Sequence, residues 1–181
     1  MRIFLIRHPP ALIEPGVCYG CLDVDCHAPG RCADRLRPRL PAGIAVYSSP
    51  LRRALRLARE LSPSVRVDAR LREIDFGAWE GQRWDDIDRH EIDAWAADVL
   101  NFSPPGGESV AALRTRVLDF AASLSDDAVL VTHAGVMRVL AGHWRRLPTV
   151  DWLRLEFGFG EEVCFTLTME KGVPGLLSAE K

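Results

Sequence analysis

Two histidines stand at the carboxyl ends of apolar runs that read as strands. His8 comes after Ile3 to Ile6 and Arg7, and His133 comes directly after Ala128 to Thr132. In an open α/β sheet, ligands bind beyond the carboxyl ends of the strands, so side chains at these two points are candidates for chemistry. A neutral imidazole can act as a nucleophile or exchange protons near neutral pH. The arginines narrow that chemistry, because a planar guanidinium makes bidentate, charge-assisted bonds to phosphate or carboxylate oxygens. Arg7 adjoins His8, and Arg52 and Arg53 fall in the first turn of the helix expected after the second strand. That turn also offers free backbone N–H groups and the positive end of the helix dipole. Arg52 and Arg53 both lie off the apolar stripe of this helix, so periodicity leaves the choice between them open. Arg56 and Arg59 read as its solvated face.

The elements that must position these groups are set by the apolar pattern. Strands are expected at Arg2 to Ile6, Ile44 to Ser48, Val65 to Val67, Ala128 to Thr132 and Glu162 to Thr168. The fourth is apolar enough to be buried on both faces. Ser49 and Pro50 suit an N-cap and first helical position, and Leu51, Ala54, Leu55, Ala58 and Leu61 then share one face up to Ser62 and Pro63. Val110, Leu113, Val117, Phe120 and Leu124 mark a second helix capped by Ser109, and Ala134 to Arg146 a third. Strands alternating with helices imply an α/β fold with a mainly parallel sheet flanked by helices on both faces. Residues 1–181 read as a single domain, with Asp75 to Gly107 as a small insertion over the strand C-terminal ends.

The composition is that of a globular protein with no global bias toward a charged partner. The chain has 181 residues, 48% hydrophobic and 27% charged, the balance of a globular protein. A net charge of -2 supplies no global attraction for nucleic acid or an anionic membrane. The apolar start of the chain is too short for a signal segment, and no run approaches the ~20 residues that span a bilayer. A cytoplasmic location is the expectation, and the five cysteines are then expected to be reduced.

Four motifs carry a family resemblance. Arg7-His8, Ser48-Ser49-Pro50-Leu51-Arg52-Arg53-Ala54, Leu71-Arg72-Glu73-Ile74-Asp75-Phe76-Gly77-Ala78-Trp79-Glu80-Gly81 and Thr132-His133-Ala134-Gly135 resemble the histidine phosphatase (phosphoglycerate-mutase-like) superfamily in order and spacing. The resemblance implies that His8 is the phosphorylated nucleophile and that Arg53, not Arg52, binds phosphate. It makes Arg7, His133 and Ala134 partners in the phosphate pocket and Glu73 the proton donor, with no metal and no cofactor. One departure stands out: the family usually has Gly-Glu-Thr or similar after Arg-His, where this chain has Pro9-Pro10-Ala11, losing a backbone donor.

The implied substrate is a small phosphorylated metabolite. Family mutases resemble longer chains with extra basic residues, whereas the segment between Gly81 and Gly107 is short and carries Asp85, Asp86, Asp88, Asp93 and Asp98, so hydrolysis is expected over mutase activity. Gly16-Val17-Cys18-Tyr19-Gly20, with the Phe76 to Gly81 motif, is similar to the α-ribazole phosphatase branch, whose members act in cobalamin biosynthesis. Tyr19 and Trp79 are candidates to line the leaving-group pocket, or to pack their loops. Glu80 reads as structural, and His27, His90 and His143 as surface or packing residues. Monomer and homodimer both remain open, as does broad specificity. Two other classes compete. Cys18, Cys21, Cys26 and Cys32 with His27 could make a zinc site, although the single C-x-x-C lacks a partner pair. A silent phosphate-recognition module would rest on Pro9.

Overall fold

The computed structural model describes residues 1–170 and 173–180. Six strands form one sheet: β1 (Arg2–Arg7), β2 (Ala45–Ser48), β3 (Val65–Val67), β4 (Ala128–Thr132), β5 (Glu162–Glu170) and β6 (Val173–Glu180). Their spatial order is β3-β2-β4-β1-β5-β6. The first four in that order are mutually parallel, and β5 and β6 continue the sheet antiparallel. The α-helices are α1 (Pro29–Leu36), α2 (Arg52–Leu61), α3 (Arg89–Ala97), α4 (Val110–Ala122), α5 (Ala134–Trp144) and α6 (Thr149–Trp152).

The central strands read as unbroken apolar runs because successive side chains point to opposite faces and both faces are covered. Ile3 and Leu5 of β1 join Ala128 and Leu130 of β4 beneath α4 and α5, whose Leu113, Val117, Phe120, Met137 and Leu140 complete that core. Phe4, Ile6, Val129 and Val131 face the other way, against Cys32 and Leu36 of α1 and Ala54, Leu57 and Ala58 of α2. The fold is therefore the expected α/β arrangement with helices on both faces. Between Asp75 and Gly107, two short 3-10 turns and α3 build a small aromatic cluster of their own, in which Trp79, Cys18 and Ile87 are buried under Phe76, Trp84, Trp95 and Phe102.

Some element bounds and one strand differ from the sequence expectation. β1 runs one residue further, to Arg7, and β5 on to Glu170. β6 is an additional strand in a segment containing Pro174 and Gly175; as the sheet edge it pairs with β5 alone, where proline is tolerated. The helix after β2 begins at Arg52 rather than Pro50, and Ser49 does not cap it. Among the described residues no helix is long and apolar enough to cross a membrane.

Candidate active site

The carboxyl ends of neighbouring strands deliver the site. β1 ends at Arg7 and His8, β4 at His133, β2 at Ser48 and Ser49, and the segment after β3 carries Glu73. Parallel pairing in register, with Arg7 opposite Thr132 and Ser48 opposite Val131, brings these ends to one level. A cavity of about 250 Å³ opens there, lined by Arg7, His8, Tyr19, Arg53, Glu73, Ile74, Phe76, Trp84, Ala134, Gly135 and Arg138, among others.

His8 is buried, and its Nδ1 lies 2.6 Å from the carbonyl oxygen of Pro9. A carbonyl can only accept, so the hydrogen sits on Nδ1 and the lone pair on Nε2. Burial, then the neighbouring Arg53 guanidinium, pushes the His8 pKa down to about 3. The ring is thus neutral and nucleophilic at physiological pH. Arg53 Nε donates to His8 Nε2 at 3.3 Å.

Arg53 and Arg52, alike by periodicity, are placed differently. Arg53 is fully buried, and its Nη1 and Nη2 donate to the carbonyls of Leu22 and Gly20 while Tyr19 covers its face at 5.2 Å. Of its five N–H donors three are engaged, leaving two for a ligand. Arg52 turns outward, where its backbone and side chain engage Asp23. Arg7 donates through Nη1 to Phe157 O at 2.6 Å and lies 3.8 Å from the centre of the Phe159 ring. Burial holds both arginines below their ordinary pKa, and among the described residues neither is in an ion pair. Two desolvated cations beside neutral histidines favour an incoming dianion.

His133 is fully buried 5.0 Å from the His8 ring, and burial, then Arg53, holds its pKa well below the usual value. Its Nε2 lies 2.7 Å from Ser49 Oγ. Ser49 Oγ also accepts from Leu51 N–H at 3.3 Å and keeps one hydrogen to give; donated to Nε2, it would put the imidazole proton on Nδ1. That Nδ1 and the Arg7 Nε are buried polar atoms without a hydrogen-bond partner among the described residues. Such groups are costly unless a ligand supplies acceptors, and phosphate oxygens do so.

Glu73 is held by backbone donors: Oε1 accepts from Ile74 N–H and Oε2 from Gly135 N–H, each at 3.0 Å. The second donor is a free N–H of the first turn of α5. Glycine leaves room for the carboxylate in this position, since a Cβ on residue 135 would fall 2.2 Å from Glu73 Oε1. The Glu73 segment is clamped by Arg116 of α4, which donates to the carbonyls of Arg70, Arg72 and Glu73 while pairing with Glu108.

Tyr19 and Ala134 lie on the cavity wall, but Trp79 does not. Trp79 is buried in the insertion's cluster, stacked on Phe102 and donating to Glu91, and Phe76 and Trp84 line the cavity in its place. Glu80 is structural, accepting from the backbone of Cys21, Leu22 and Phe76. The zinc arrangement is not formed. Cys18 packs on Trp79 and Cys32 in the α1 core, and among the described residues the one close group of metal-ligating types, Cys21, Asp75 and Glu80, contains a single cysteine. Ser49, Arg116, Arg138 and Phe159 were not anticipated. Ser49 was legible as part of the Ser-Ser-Pro motif, whereas nothing in a single sequence distinguishes Arg116 or Arg138 from other helical arginines.

Residues 3–177 match the family model of the histidine phosphatase superfamily, branch 1. The chain belongs to that superfamily. It is 33% identical to a glucosyl-3-phosphoglycerate phosphatase of Mycolicibacterium vanbaalenii, over 83% of this chain and 77% of that one. Identity to a putative phosphoserine phosphatase 2 of Hydrogenobacter thermophilus is 30%, over 77% and 76%. Among solved structures, a phosphoglycerate mutase from Thermus thermophilus superposes with a TM-score of 0.77 at 32% identity, covering 99% of this chain and 98% of that one. A mycobacterial glucosyl-3-phosphoglycerate phosphatase gives 0.75 at 29%, covering 91% and 90%. The protein is a phosphatase of the histidine phosphatase superfamily.

Proposed function

We propose that the protein hydrolyses phosphate monoesters through a phosphohistidine formed on His8 Nε2. The observation that carries this reading is the Nδ1 to Pro9 carbonyl bond, which leaves Nε2 with its lone pair beside Arg7, Arg53 and His133. A bound phosphate, as a charged acceptor, displaces the imidazole as the acceptor for Arg53. Nε2 then attacks phosphorus in line; the P–N bond forms as the ester P–O bond breaks. Glu73, as the carboxylic acid, gives its proton to the leaving oxygen. Arg7, Arg53 and His133 Nδ1–H stabilise the equatorial oxygens. Water then attacks phosphorus, Glu73 takes its proton, the P–N electrons return to Nε2 and phosphate leaves. Each of these steps is met by groups of the chain, which supports a metal-independent reaction.

For the substrate, α-ribazole 5′-phosphate is the proposal, supported by the Gly16 to Gly20 segment that holds Arg53 and by Tyr19 on the cavity wall. One observation favours a second reading: Arg138 reaches the same cavity, a footing for the carboxylate of a phosphoglycerate or phosphoserine type of ester, the substrates for which the relatives are named. The two are separated by assaying α-ribazole 5′-phosphate, 3-phosphoglycerate and p-nitrophenyl phosphate with EDTA present, for wild type and His8→Ala. Turnover should survive chelation and vanish with His8. Activity retained by His8→Ala would refute the mechanism.

A further inference from the structure

A second cavity of about 290 Å³ adjoins the phosphate site and shares Ile74, Phe76, Trp84, Gly135 and Arg138 with it. Beyond that shared rim its walls are Trp95 and Val99 of the insertion, Val110 and Leu113 of α4, Val139 of α5, Thr149 and Trp152 of α6, and Leu153 just after it. These side chains are almost all apolar, and three of the five tryptophans of the chain are among those lining the whole cavity. Glu73, which protonates the leaving oxygen, sits between Ile74 and Gly135 at the junction of the two spaces. A leaving group departing from Glu73 therefore projects toward this cavity. Arg138 stands at the seam, anchored through Nε to Leu155 O at 2.9 Å, with no hydrogen bond from its Nη atoms among the described residues.

We infer that this cavity is the leaving-group subsite, and that the preferred substrates are phosphate esters of an alcohol carrying an apolar ring system, joined to the phosphate by a short polar segment that Arg138 engages. Three features point this way. The volume lies at the lower end of the roughly 300–1,000 Å³ typical of small-molecule sites, enough for a ring system but not for a polymer. The walls beyond the rim offer a sugar's hydroxyls few partners, and burying those groups unpaired opposes binding. The single cation sits where the phosphate and ring spaces meet, not deep in the apolar end, so a carboxylate would have to remain next to the phosphate.

The inference rests on the hydrolase reading, and its test keeps the two apart. 2-(1-Naphthyl)ethyl phosphate and glycerol 1-phosphate are both primary alkyl esters, so their intrinsic reactivity is matched and kcat/KM compares their leaving groups alone. The expected preference for the naphthyl ester is about 100-fold, the scale that apolar pocket contacts supply. Val99→Trp, which fills the cavity from the insertion, should lower the ratio of kcat/KM for the naphthyl ester to that for glycerol 1-phosphate by at least about tenfold. Val99→Ala should retain the preference, which guards against a merely misfolded variant. Equal kcat/KM for both esters, with label from glycerol 1-phosphate still passing through His8, would overturn the subsite while sparing the hydrolase. Failure of both esters and of acetyl phosphate to phosphorylate His8 would overturn both.

Discussion

Replacing Gly135 by alanine separates catalysis from stability. Residue 135 lies in the first turn of α5 with no positive φ, so its backbone tolerates any L residue. By helix propensity alone, the change stabilises the fold by roughly 0.5–1 kcal/mol. The three nearest obstacles to the new Cβ all belong to one side chain: Glu73 Oε1 at 2.2 Å, Cδ at 3.1 Å and Oε2 at 3.5 Å. The carboxylate is the end of a flexible chain and must swing away, giving up its 3.0 Å bonds to Ile74 and Gly135 N–H. General acid–base catalysis is worth about 10²–10⁴-fold, so kcat on alkyl phosphates should fall by about that factor. With p-nitrophenyl phosphate the leaving group needs no proton, and His8 should still be phosphorylated. Hydrolysis of the phosphoenzyme still needs Glu73, so stopped-flow traces should show a burst of one nitrophenolate per site before a slow steady state. Thermal denaturation should show no loss of stability. A Gly135→Ala protein with wild-type kcat on alkyl esters, or one that loses stability in step with activity, would refute the placement of Glu73.

The same geometry has other measurable consequences. His8 is held neutral, with its pKa depressed from 6.5 to about 3, so the kcat/KM profile should show no acid limb near 6.5 from this group; an imidazole resonance that titrates near 6.5 by NMR and is missing from His8→Gln would contradict it. A depressed histidine pKa stabilises the fold fully above about 6.5, and that contribution is lost as pH falls toward 3. Between pH 7 and 5 the loss from His8 is about 2 kcal/mol, with His133 acting in the same direction, and urea titrations of wild type and His8→Gln should differ in slope by that amount. Ser49→Ala removes the hydroxyl on His133 Nε2 and should cost about tenfold in kcat/KM, with Ser49→Thr restoring it; an unchanged Ser49→Ala enzyme would show that the tautomer is set otherwise. Trp79→Ala should destabilise by about 3–5 kcal/mol, whereas Trp84→Ala, at the cavity wall, should act mainly on KM; kinetics alongside denaturation distinguishes them.

The legible part of this protein was what local pattern controls. β4 announced itself because both sides of the strand are buried, and the helix after β2 by its apolar stripe. Arg53 against Arg52 was not decided by that stripe, because a buried arginine satisfied by the carbonyls of Gly20 and Leu22 has no apolar signature. The family resemblance supplied the choice, and the geometry supplies its reason. Ser49 suited a helix cap by type and position, yet its hydroxyl is drawn to His133, 84 residues away in sequence. Trp79 and Trp84 lie in the same insertion, and which of them meets the cavity depends on how that insertion folds over Cys18 and Ile87. β6 was hidden because Pro174 and Gly175 argue against a strand everywhere except at an edge.

Pro9 was the one departure that weighed against catalysis, and its place in the site turns that weight around. What proline removes is a backbone N–H; what His8 uses is the carbonyl, which proline keeps. The ring fixes φ of residue 9 and so narrows the orientations open to that carbonyl. The neighbouring backbone is held as well, by His8 N–H donating to Thr132 O and by Gly160 N–H shared between the carbonyls of Arg7 and His8. The imidazole is therefore locked in the tautomer that exposes Nε2, beside two cations that make no ion pair among the described residues. A module that only recognised phosphate would need the cations, but it would gain nothing from a histidine held neutral with its lone pair presented to them. The proposed attack on phosphorus accounts for the cost of burying that ring beside Arg53, which binding alone does not.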